Sequence, residues 1–549
     1  MDAKILKLFT ELVAIKSRSD TKDENLASDY IFEYIKGLDY FKQHKDDCGL
    51  MKIESDPLKR HIPYGLVKGK SGDTVILSGH FDVVDEFDYG DAKELAFTPG
   101  DELEKALRKN AMTAEQQQDM DSGEWIWGKG TADMKGGLAI HLALLEKFSD
   151  MALKGELEGS ILFIAVPDEE SYSYGMRGAS GLMAELKEKN NLDYKLLINP
   201  EPTDLVDDSQ VMFLGTVGKT MPVIMVQGIS SHIGHCFDGF NPLDILSGIY
   251  KKTNGSLEFA DRYEDEATMP PSWLKMRDLK QVYDVSIPLR AAGYFTVLSL
   301  NKDPGEILEK LKDICIKTAD EEVAKLEEVY RQYKKINKFE TKSELGLRPR
   351  TYIFNELKEE LIKKEGTKFT EFYNRLHKEI DEKIASGEIN YPDGTIMLME
   401  KVLDFAGFTD PVTVIAFAPP YYPAVNGNIV AGKECFAKKA YDIVSKVSGE
   451  EGQKVSFQNF FMGISDNSYS AVTGDGNGNL DYAEAAPLWG DGYNIDFESI
   501  KKINVPAVIY GPIGKEYHKW SERVNKKSLL FTVPRVTEKL IKQAWNFEA

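Results

Sequence analysis

The stretch Ile161 to Glu170, ILFIAVPDEE, most constrains the fold, because an unbroken apolar run of strand length ends in a proline and three carboxylates. A short apolar run bounded by a turn residue is typical of a strand buried in a parallel sheet. In open α/β sheets, ligands bind at the carboxyl ends of such strands. Asp168, Glu169 and Glu170 are therefore predicted to lie at a ligand-binding edge, although a polar loop that begins the next helix would give the same local pattern.

Three further apolar runs of strand length end in side chains of the same kind. The first leads into His80 and Asp82, the second into Glu201, and the third, much later in the chain, into His518. A histidine directly after a buried strand can bind a metal ion while a neighbouring carboxylate orients its ring. Each ending alone is equally compatible with a structural role, but four such endings predict a shared site.

Asp133 lies among glycines in the segment GKGTADMKGG. Glycines permit tight turns and close backbone approach, which a carboxylate in a crowded site requires. The segment departs from the full glycine spacing of a dinucleotide-binding loop, so we do not interpret it as one. Together with the four strand endings, Asp133 completes a set of histidines and carboxylates of the kind that binds one or two divalent metal ions.

Charge and cysteine content limit the classes of partner. The chain has 68 Lys and Arg against 89 Asp and Glu, a net charge of −21, which argues against binding to nucleic acid or to a membrane surface. Its four cysteines are far apart and form no CxxC pair, so a reducing cytoplasm is the expected location. No stretch approaches the roughly 20 apolar residues of a membrane span.

The pattern of the chain predicts interleaved domains, since 549 residues are too many for one hydrophobic core. From residue 215 the sequence resembles an α+β insert, which we place at 215–420 with an extra helical region at about 320–390. The flanking segments 1–214 and 421–549 would then form one α/β domain. Residues 86–124 lack clean periodicity and are predicted to be a surface excursion without chemistry.

The acidic segment that begins at Asp475, DGNGNLDYAEAA, has the alternating Asp and Asn residues of a calcium loop. An EF-hand needs Gly at its sixth position and Glu at its twelfth. Those positions hold Leu480 and Ala486 here. We therefore predict an irregular acidic surface loop.

The motifs SGHFDVVD, GKGTADMKGG, PDEES, NPEPTD and GPIGKEYHKWSE occur in this order. In these motifs the chain resembles the dizinc metallopeptidase family of glutamate carboxypeptidase, acetylornithine deacetylase, succinyl-diaminopimelate desuccinylase and aminoacylase. Its acidic and helical additions resemble most the arginine-utilisation RocB type. The resemblance implies an α/β fold, with a zinc-peptidase-like twisted mixed sheet between helices, interrupted by an α+β lid domain. It also implies that the chain forms a homodimer through this lid.

The same resemblance implies two divalent metal ions, Zn²⁺ first, although the ligands would also suit Mn²⁺ or Co²⁺. Carried over motif by motif, His80, Asp133 and Glu201 would bind one ion, and Asp133, Glu170 and His518 would bind the other. Asp133 would therefore bridge the two ions.

The resemblance also implies three catalytic roles. Asp82 would orient His80 through a hydrogen bond, and Glu169 would be the general base that acts on a metal-bound water. His232, in GISSHIG, matches the family's lid histidine, which stabilises the tetrahedral oxyanion. Paired cations that acidify water and a nearby carboxylate that moves a proton suit the hydrolysis of an amide bond.

Two segments depart from the family pattern, and the first is the turn PDEESYSYGMRGA, which is longer than the usual Glu-Glu-x-Gly turn. After the lid the family often has Asp-Ala-Arg, whereas this chain has Asp466 within the sequence SDNS, so an arginine expected near the substrate is missing. Arg177 and Arg290 are the candidates to bind a substrate carboxylate in its place, because a guanidinium fits that group with two hydrogen bonds. A surface ion pair is the alternative for either arginine.

These observations predict a cytoplasmic metal-dependent hydrolase that cleaves an amide bond in a small peptide or an N-acyl amino acid. The resemblance to the RocB type implies a place in amino-acid catabolism, that of arginine in particular. The alternative is a metal-binding pseudoenzyme or ligand-binding protein whose altered substrate loop has lost turnover. Both alternatives retain the metal ions, so turnover must separate them.

Overall fold

The computed structural model describes residues 1–337, 343–474 and 476–548. The helices are α1 Asp2–Val13, α2 Glu24–Gly37, α3 Asp39–Gln43, α4 Asp101–Leu107, α5 Ala114–Ser122, α6 Lys135–Leu153, α7 Tyr174–Asn190, α8 Pro242–Thr253, α9 Pro304–Ile336, α10 Phe354–Glu365, α11 Thr367–Ala385, α12 Tyr391–Ala406, α13 Phe436–Glu450, α14 Asn477–Ala485, α15 Phe497–Ile503 and α16 Val533–Ala544. None of the helices in these described ranges combines the length and apolarity needed to cross a membrane.

The strands are β1 Cys48–Lys52, β2 His61–Val67, β3 Asp73–His80, β4 Trp125–Trp127, β5 Ser160–Val166, β6 Asp193–Asn199, β7 Leu205–Val206, β8 Ser209–Phe213, β9 Gly215–Thr216, β10 Gly218–Thr220, β11 Pro222–Gln227, β12 Arg262–Tyr263, β13 Glu266–Ala267, β14 Ser272–Asp278, β15 Arg290–Ser299, β16 Arg350–Ile353, β17 Val412–Phe417, β18 Val425–Asn426, β19 Lys454–Gln458, β20 Ala507–Ile509, β21 Gly514–Lys515 and β22 Arg523–Asn525.

The chain divides into two compact units. Unit 1 comprises Met1–Val217, Ala424–Gly474 and Ile495–Ala549, and unit 2 comprises Gly218–Pro423 and Asp475–Asn494. The predicted insert at 215–420 falls almost wholly within unit 2. The segment 475–494, which we predicted to belong to the flanking domain, is also part of unit 2.

Unit 1 contains a mixed sheet with the strand order β1-β2-β5-β3-β6-β20-β8-β19, and β7 pairs with β8. Its central strands β5, β3, β6 and β20 are parallel to one another. These four strands correspond to the four apolar runs that the sequence predicted to end in site residues. Because they are parallel neighbours, their carboxyl ends lie along one edge of the sheet.

Both faces of this sheet are covered, which explains why its strands are apolar without alternation. Val75 and Leu77 of β3 face a core to which α1, α6, α13 and α16 contribute. Ile76, which alternation directs to the opposite face, is also fully buried. Helix α7 packs against β5 and β2.

Residues 86–124, which we predicted to be a surface excursion, form a small folded lobe. A 3₁₀ segment at Phe87–Leu95 is followed by α4 and α5. Their apolar side chains form a core of their own with the strand β4: Tyr89, Phe97, Leu103, Leu107, Met120, Trp125 and Trp127. Helices of seven and nine residues give too short a periodic pattern to recognise, and they depend on packing for stability. We call residues 86–124 the excursion lobe.

Unit 2 contains a sheet with the order β10-β15-β11-β17-β16, and β14 pairs with β15. Only β16 and β17 are parallel in this sheet, within the part of unit 2 that is described. Helices α8, α9 and α12 pack against its strands, so unit 2 combines helices with a mainly antiparallel sheet, as expected of an α+β insert. The helical region predicted at about 320–390 comprises the end of α9 and helices α10 and α11. Residues 338–342 of that prediction lie outside the described residues.

The acidic segment after residue 474 is helical over α14, so the prediction of an irregular loop was wrong there. Tyr482 and Ala485 are buried, and the Tyr482 ring stacks on that of Tyr421 with 4.1 Å between centroids. Tyr482 and Ala485 are three positions apart and therefore lie on one face of the helix. Asp475 itself lies outside the described residues.

Candidate metal centre

The predicted site residues follow four neighbouring strands of unit 1. His80 is the last residue of β3, and Glu169 and Glu170 follow β5 after a short turn. Glu201 comes two residues after β6, and His518 lies in the loop between β21 and β22. The parallel pairing of β5, β3, β6 and β20 brings these side chains to one edge of the sheet.

The first cluster consists of His80, Asp133 and Glu201. The Nε2 atom of His80 lies 3.2 Å from Oδ1 of Asp133 and 3.5 Å from Oε1 of Glu201. One ligand atom from each of the three residues lies within 4.8 Å of the other two. Three N and O donors at this separation suit a divalent metal ion.

The second cluster consists of Asp133, Glu170 and His518. The Nε2 atom of His518 lies 3.1 Å from Oδ2 of Asp133 and 2.9 Å from Oε1 of Glu170. Asp133 therefore presents one oxygen to each histidine and belongs to both clusters. A carboxylate in this position is suited to bridge two metal ions.

Glu169 lies in the same group of side chains. Ligand atoms of His80, Glu169 and Glu170 also lie within 4.8 Å of one another. The distances alone therefore allow Glu169 to act either as a further metal ligand or as a general base beside the ions. The two roles differ in whether the metal content depends on its carboxylate.

The electrostatics of these residues fit the binding of cations. Burial raises the pKa of Glu201 to about 7 and that of Glu169 well above its usual value. Burial also raises the pKa of Asp133, but hydrogen bonds from His518 and His80 outweigh it and lower the pKa overall. Burial lowers the pKa of His80, yet Glu201, Asp133 and Asp82 raise it well above the ordinary value. The carboxylates thus outnumber the positively charged side chains near them. Two divalent ions would supply the missing positive charge.

Asp82 fixes the backbone around the site. Its carboxylate accepts hydrogen bonds from the backbone N–H groups of Glu169 and Glu170, at 3.1 and 3.2 Å, and from the Ser19 hydroxyl at 2.8 Å. The Nδ1 atom of His80 lies 3.0 Å from the backbone carbonyl oxygen of Asp82 and 3.4 Å from its carboxylate. The ring is therefore oriented mainly by the carbonyl of Asp82, while the carboxylate supports the neighbouring turn.

The sequence predicted that Asp168 lies at the ligand-binding edge beside Glu169. Its side chain instead belongs to a separate ion-pair network. Its carboxylate accepts a hydrogen bond from Nη1 of Arg60 at 2.7 Å, and Arg60 also binds Asp56 and Glu24. All four side chains are buried. Asp168 has a φ of 67°, a conformation rare in residues other than glycine. This ion-pair network stabilises the turn that carries Glu169, and no local sequence signal indicates Arg60 as its centre.

Glu522 is a second residue that the sequence prediction missed. Its carboxylate accepts hydrogen bonds from the backbone N–H groups of Ala132 and Asp133, at 3.0 and 3.2 Å. Burial raises the pKa of Glu522 to about 7. Its place in the motif GPIGKEYHKWSE, four residues after His518, was the signal that could have pointed to it. Glu522 fixes the backbone of the bridging Asp133.

His232, the predicted oxyanion residue, belongs to unit 2, where its side chain is exposed. Its Nδ1 atom accepts a hydrogen bond from the backbone N–H of Gly234 at 3.1 Å. A neutral imidazole that accepts through Nδ1 carries its proton on Nε2. His232 can therefore donate a hydrogen bond through Nε2.

The two candidate arginines already contact protein groups. Arg290 donates hydrogen bonds to Oε1 of Gln227 at 2.8 and 3.1 Å and to Oδ1 of Asp404 at 2.6 Å. Arg177 donates a hydrogen bond to the carbonyl of Tyr172 at 3.2 Å, and its guanidinium lies 4.5 Å from the centroid of the Tyr174 ring. These contacts favour a structural role for both side chains.

Asp466 is buried. Neither of its carboxylate oxygens makes a hydrogen bond of normal geometry within the described residues. Burial raises its pKa to about 8, and the charge of His80, together with a smaller contribution from the Ser173 hydroxyl, offsets only part of this effect. Asp466 therefore differs from the two arginines, because it has an unmet capacity to accept hydrogen bonds.

Comparison with known proteins identifies the family. The model of peptidase family M20/M25/M40 matches residues 76–543. The chain belongs to this family. In this M20/M25/M40 peptidase-family member, the two candidate ligand clusters share Asp133.

Two relatives from Bacillus subtilis strain 168 match the M20/M25/M40 chain over nearly its whole length. The uncharacterized protein YqjN is 30% identical over 95% of this chain and 92% of its own. Protein RocB is 28% identical over 96% of this chain and 92% of its own. A tripeptidase from Staphylococcus aureus has the same fold, with a TM-score of 0.53 and 14% identity over 99% of both chains.

Proposed function

We propose that this chain hydrolyses an amide bond in a small peptide or an N-acyl amino acid with the help of two divalent metal ions. One observation supports this most strongly. The two oxygens of Asp133 face His80 and His518, at 3.2 and 3.1 Å, so that a single carboxylate joins two clusters of ligands. This arrangement suits a pair of ions better than one.

His80 and Glu201 are the proposed ligands of the first ion, and Glu170 and His518 those of the second, with Asp133 shared. Two imidazole nitrogens and three carboxylates are N and O donors that fit Zn²⁺, our first expectation, and also Mn²⁺ or Co²⁺. When bound, such a pair of ions acidifies water and polarises the carbonyl of the scissile amide.

The protein's own groups would move the protons. Glu169 is the proposed general base, which accepts a proton from the attacking water and delivers it to the leaving amine. Its backbone N–H is bonded to Asp82, so the turn that presents the carboxylate is supported independently of that side chain. His232 is the proposed oxyanion donor, supported by the proton on its Nε2 atom.

For the substrate, we propose a cationic amino-acid group, such as the guanidinium of arginine, that binds Asp466. The buried carboxylate of Asp466, which makes no hydrogen bond of normal geometry within the described residues, supports this choice, because an ammonium or guanidinium group could donate hydrogen bonds to it. A role in arginine catabolism would agree with a cationic substrate, because the side chain of arginine is a guanidinium group. Arg177 and Arg290 remain the proposed sites for a substrate carboxylate, although their present contacts make them the weaker proposal.

The proposed cellular location is the cytoplasm. Cys48, Cys236, Cys315 and Cys435 are free thiols, which agrees with a reducing compartment. A homodimer through unit 2 stays a prediction.

The test is amino-acid release from a panel of dipeptides and N-acyl amino acids, with cationic and neutral members of each. The metal-depleted chain would be assayed alone and after addition of Zn²⁺, Mn²⁺ or Co²⁺. We expect release only with metal, and faster release from cationic substrates. A chain that binds two ions and cleaves no member of the panel would instead be a metal-binding pseudoenzyme.

A further inference from the structure

The loop that carries His518, residues 515–523, is attached to the excursion lobe through charged side chains, of which Arg523 is buried. Arg523 is only 1% exposed. It donates hydrogen bonds from Nε and Nη2 to Oδ2 of Asp119 on α5, at 2.8 and 2.7 Å. Its Nη1 atom donates to the carboxylate of Glu516 and to the carbonyl of Ser521. The guanidinium thus joins helix α5 to both ends of the loop.

Helix α5 makes further contacts with the same loop. The amide nitrogen of Gln116 donates to both carboxylate oxygens of Glu516, at 2.9 and 2.8 Å. Lys515 donates to Asp119 at 2.8 Å. The first turn of α5 is fixed by a capping box between Thr113 and Gln116, so the groups that contact the loop lie on an ordered helix.

The loop needs this support because its own conformation is unfavourable. Glu516 and His518 have φ values of 54° and 64°, in the left-handed region that side chains with a Cβ atom disfavour. The His518 side chain is 50% exposed, so packing contributes little to its orientation. Contacts from outside the loop must therefore maintain its conformation.

We propose that Asp119 and Gln116 are positioning residues for His518, so that the second cluster binds its metal ion tightly only when the excursion lobe is attached to the loop. This inference rests on the two-ion site of the proposed function. It assigns a function to residues 86–124, for which the sequence predicted none. Substitution of a residue that orients a metal ligand typically weakens metal affinity by roughly 10- to 100-fold.

The test compares Asp119→Asn with Glu115→Gln. Glu115 lies on the same helix and contacts the same Lys515, but its side chain is 66% exposed, so it is a matched control. Bound Zn²⁺ would be titrated against a competing chelator. We expect Asp119→Asn to lower the affinity for one of the two ions by roughly 10- to 100-fold and to leave the affinity for the other unchanged. Glu115→Gln should bind both ions as the wild type does.

A second measurement follows hydrogen exchange in peptides that cover residues 515–523 of the metal-free chain. Asp119→Asn should exchange faster there than Glu115→Gln, and Gln116→Leu provides a second variant should Asp119→Asn fail to fold. Equal exchange in all variants, or an equal weakening of both ions, would overturn the positioning role. Because exchange is measured without metal or substrate, the amide-hydrolase proposal can fail while this readout still decides.

Discussion

The carboxylate of Asp82 accepts a hydrogen bond from the backbone N–H of Glu169 at 3.1 Å. This contact joins the end of β3 to the turn after β5, two segments that are far apart in sequence. It involves the backbone of Glu169 and not its side chain. A substitution of that side chain can therefore test chemistry without removing the support of the turn.

We predict that Glu169→Gln retains the wild-type metal content but lowers turnover by about 10² to 10⁴-fold, the usual contribution of a general base. The amide has the size of the carboxylate but cannot accept the proton. Metal content by elemental analysis and turnover on the best substrate check this. Loss of metal from Glu169→Gln would mean that Glu169 is a ligand, which its distance to His80 and Glu170 also allows.

We predict that Asp133→Ala loses both ions, because the shared carboxylate contacts both clusters and offsets the repulsion between two nearby cations. His518→Ala serves as the comparison and should lose only the second ion. Elemental analysis after gel filtration gives the number of ions per chain. Two ions retained in Asp133→Ala would rule out the bridging role.

We predict that His232→Ala lowers turnover by roughly 10² to 10³-fold, the cost of losing one oxyanion donor, with unchanged metal content and melting temperature. His235 is the matched control, since it is an exposed histidine in the same turn, and its ring centroid lies 6.4 Å from that of His232. His235→Ala should act as the wild type. Equal rates for the two variants would exclude the oxyanion role.

We predict that Asp466→Asn raises KM for cationic substrates by roughly 10- to 100-fold, as expected for the loss of a charge-assisted hydrogen bond, and has less effect on neutral ones. Arg177→Ala and Arg290→Ala would be measured on free and amidated substrates in parallel. Lost discrimination between these two forms in either arginine variant, together with no effect of Asp466→Asn, would favour carboxylate recognition instead.

We predict that His141→Leu makes stability less dependent on pH. Burial lowers the pKa of His141 in the folded chain to about 3, whereas an unfolded histidine has a pKa of about 6.5. The unfolded chain therefore binds a proton that the folded chain does not, and stability is lost as the pH falls from about 6.5 toward 3, by up to about 1.4 kcal/mol per pH unit.

Urea unfolding of the metal-free wild type and of His141→Leu at pH 7.5 and 5.5 checks this. The free-energy difference between the two pH values should be smaller in the variant. Neither ring nitrogen of His141 makes a hydrogen bond of normal geometry within the described residues, and the contact with the Ser78 backbone offsets only part of the effect of burial on its pKa. Parallel pH dependence in the two chains would contradict the prediction.

The elements that the sequence predicted well are those whose signal is local. The strands β3, β5 and β6 each contain a continuous apolar run, which is followed within a few residues by the polar side chains of the site. Burial on both faces of a parallel sheet requires this pattern, so it can be recognised in a short window. The sequence by itself therefore determined the α/β class, the strand ends and the residue types of the candidate metal centre.

Tertiary structure decided which distant groups meet. Arg60 pairs with Asp168, which is 108 positions away, and Arg523 pairs with Asp119, which is 404 positions away. A charged residue gives no local sign of its partner, because an ion pair forms only when packing brings both groups out of water together. For the same reason the short helices α4, α5 and α14 could not be recognised, since their stability comes from the surfaces they cover.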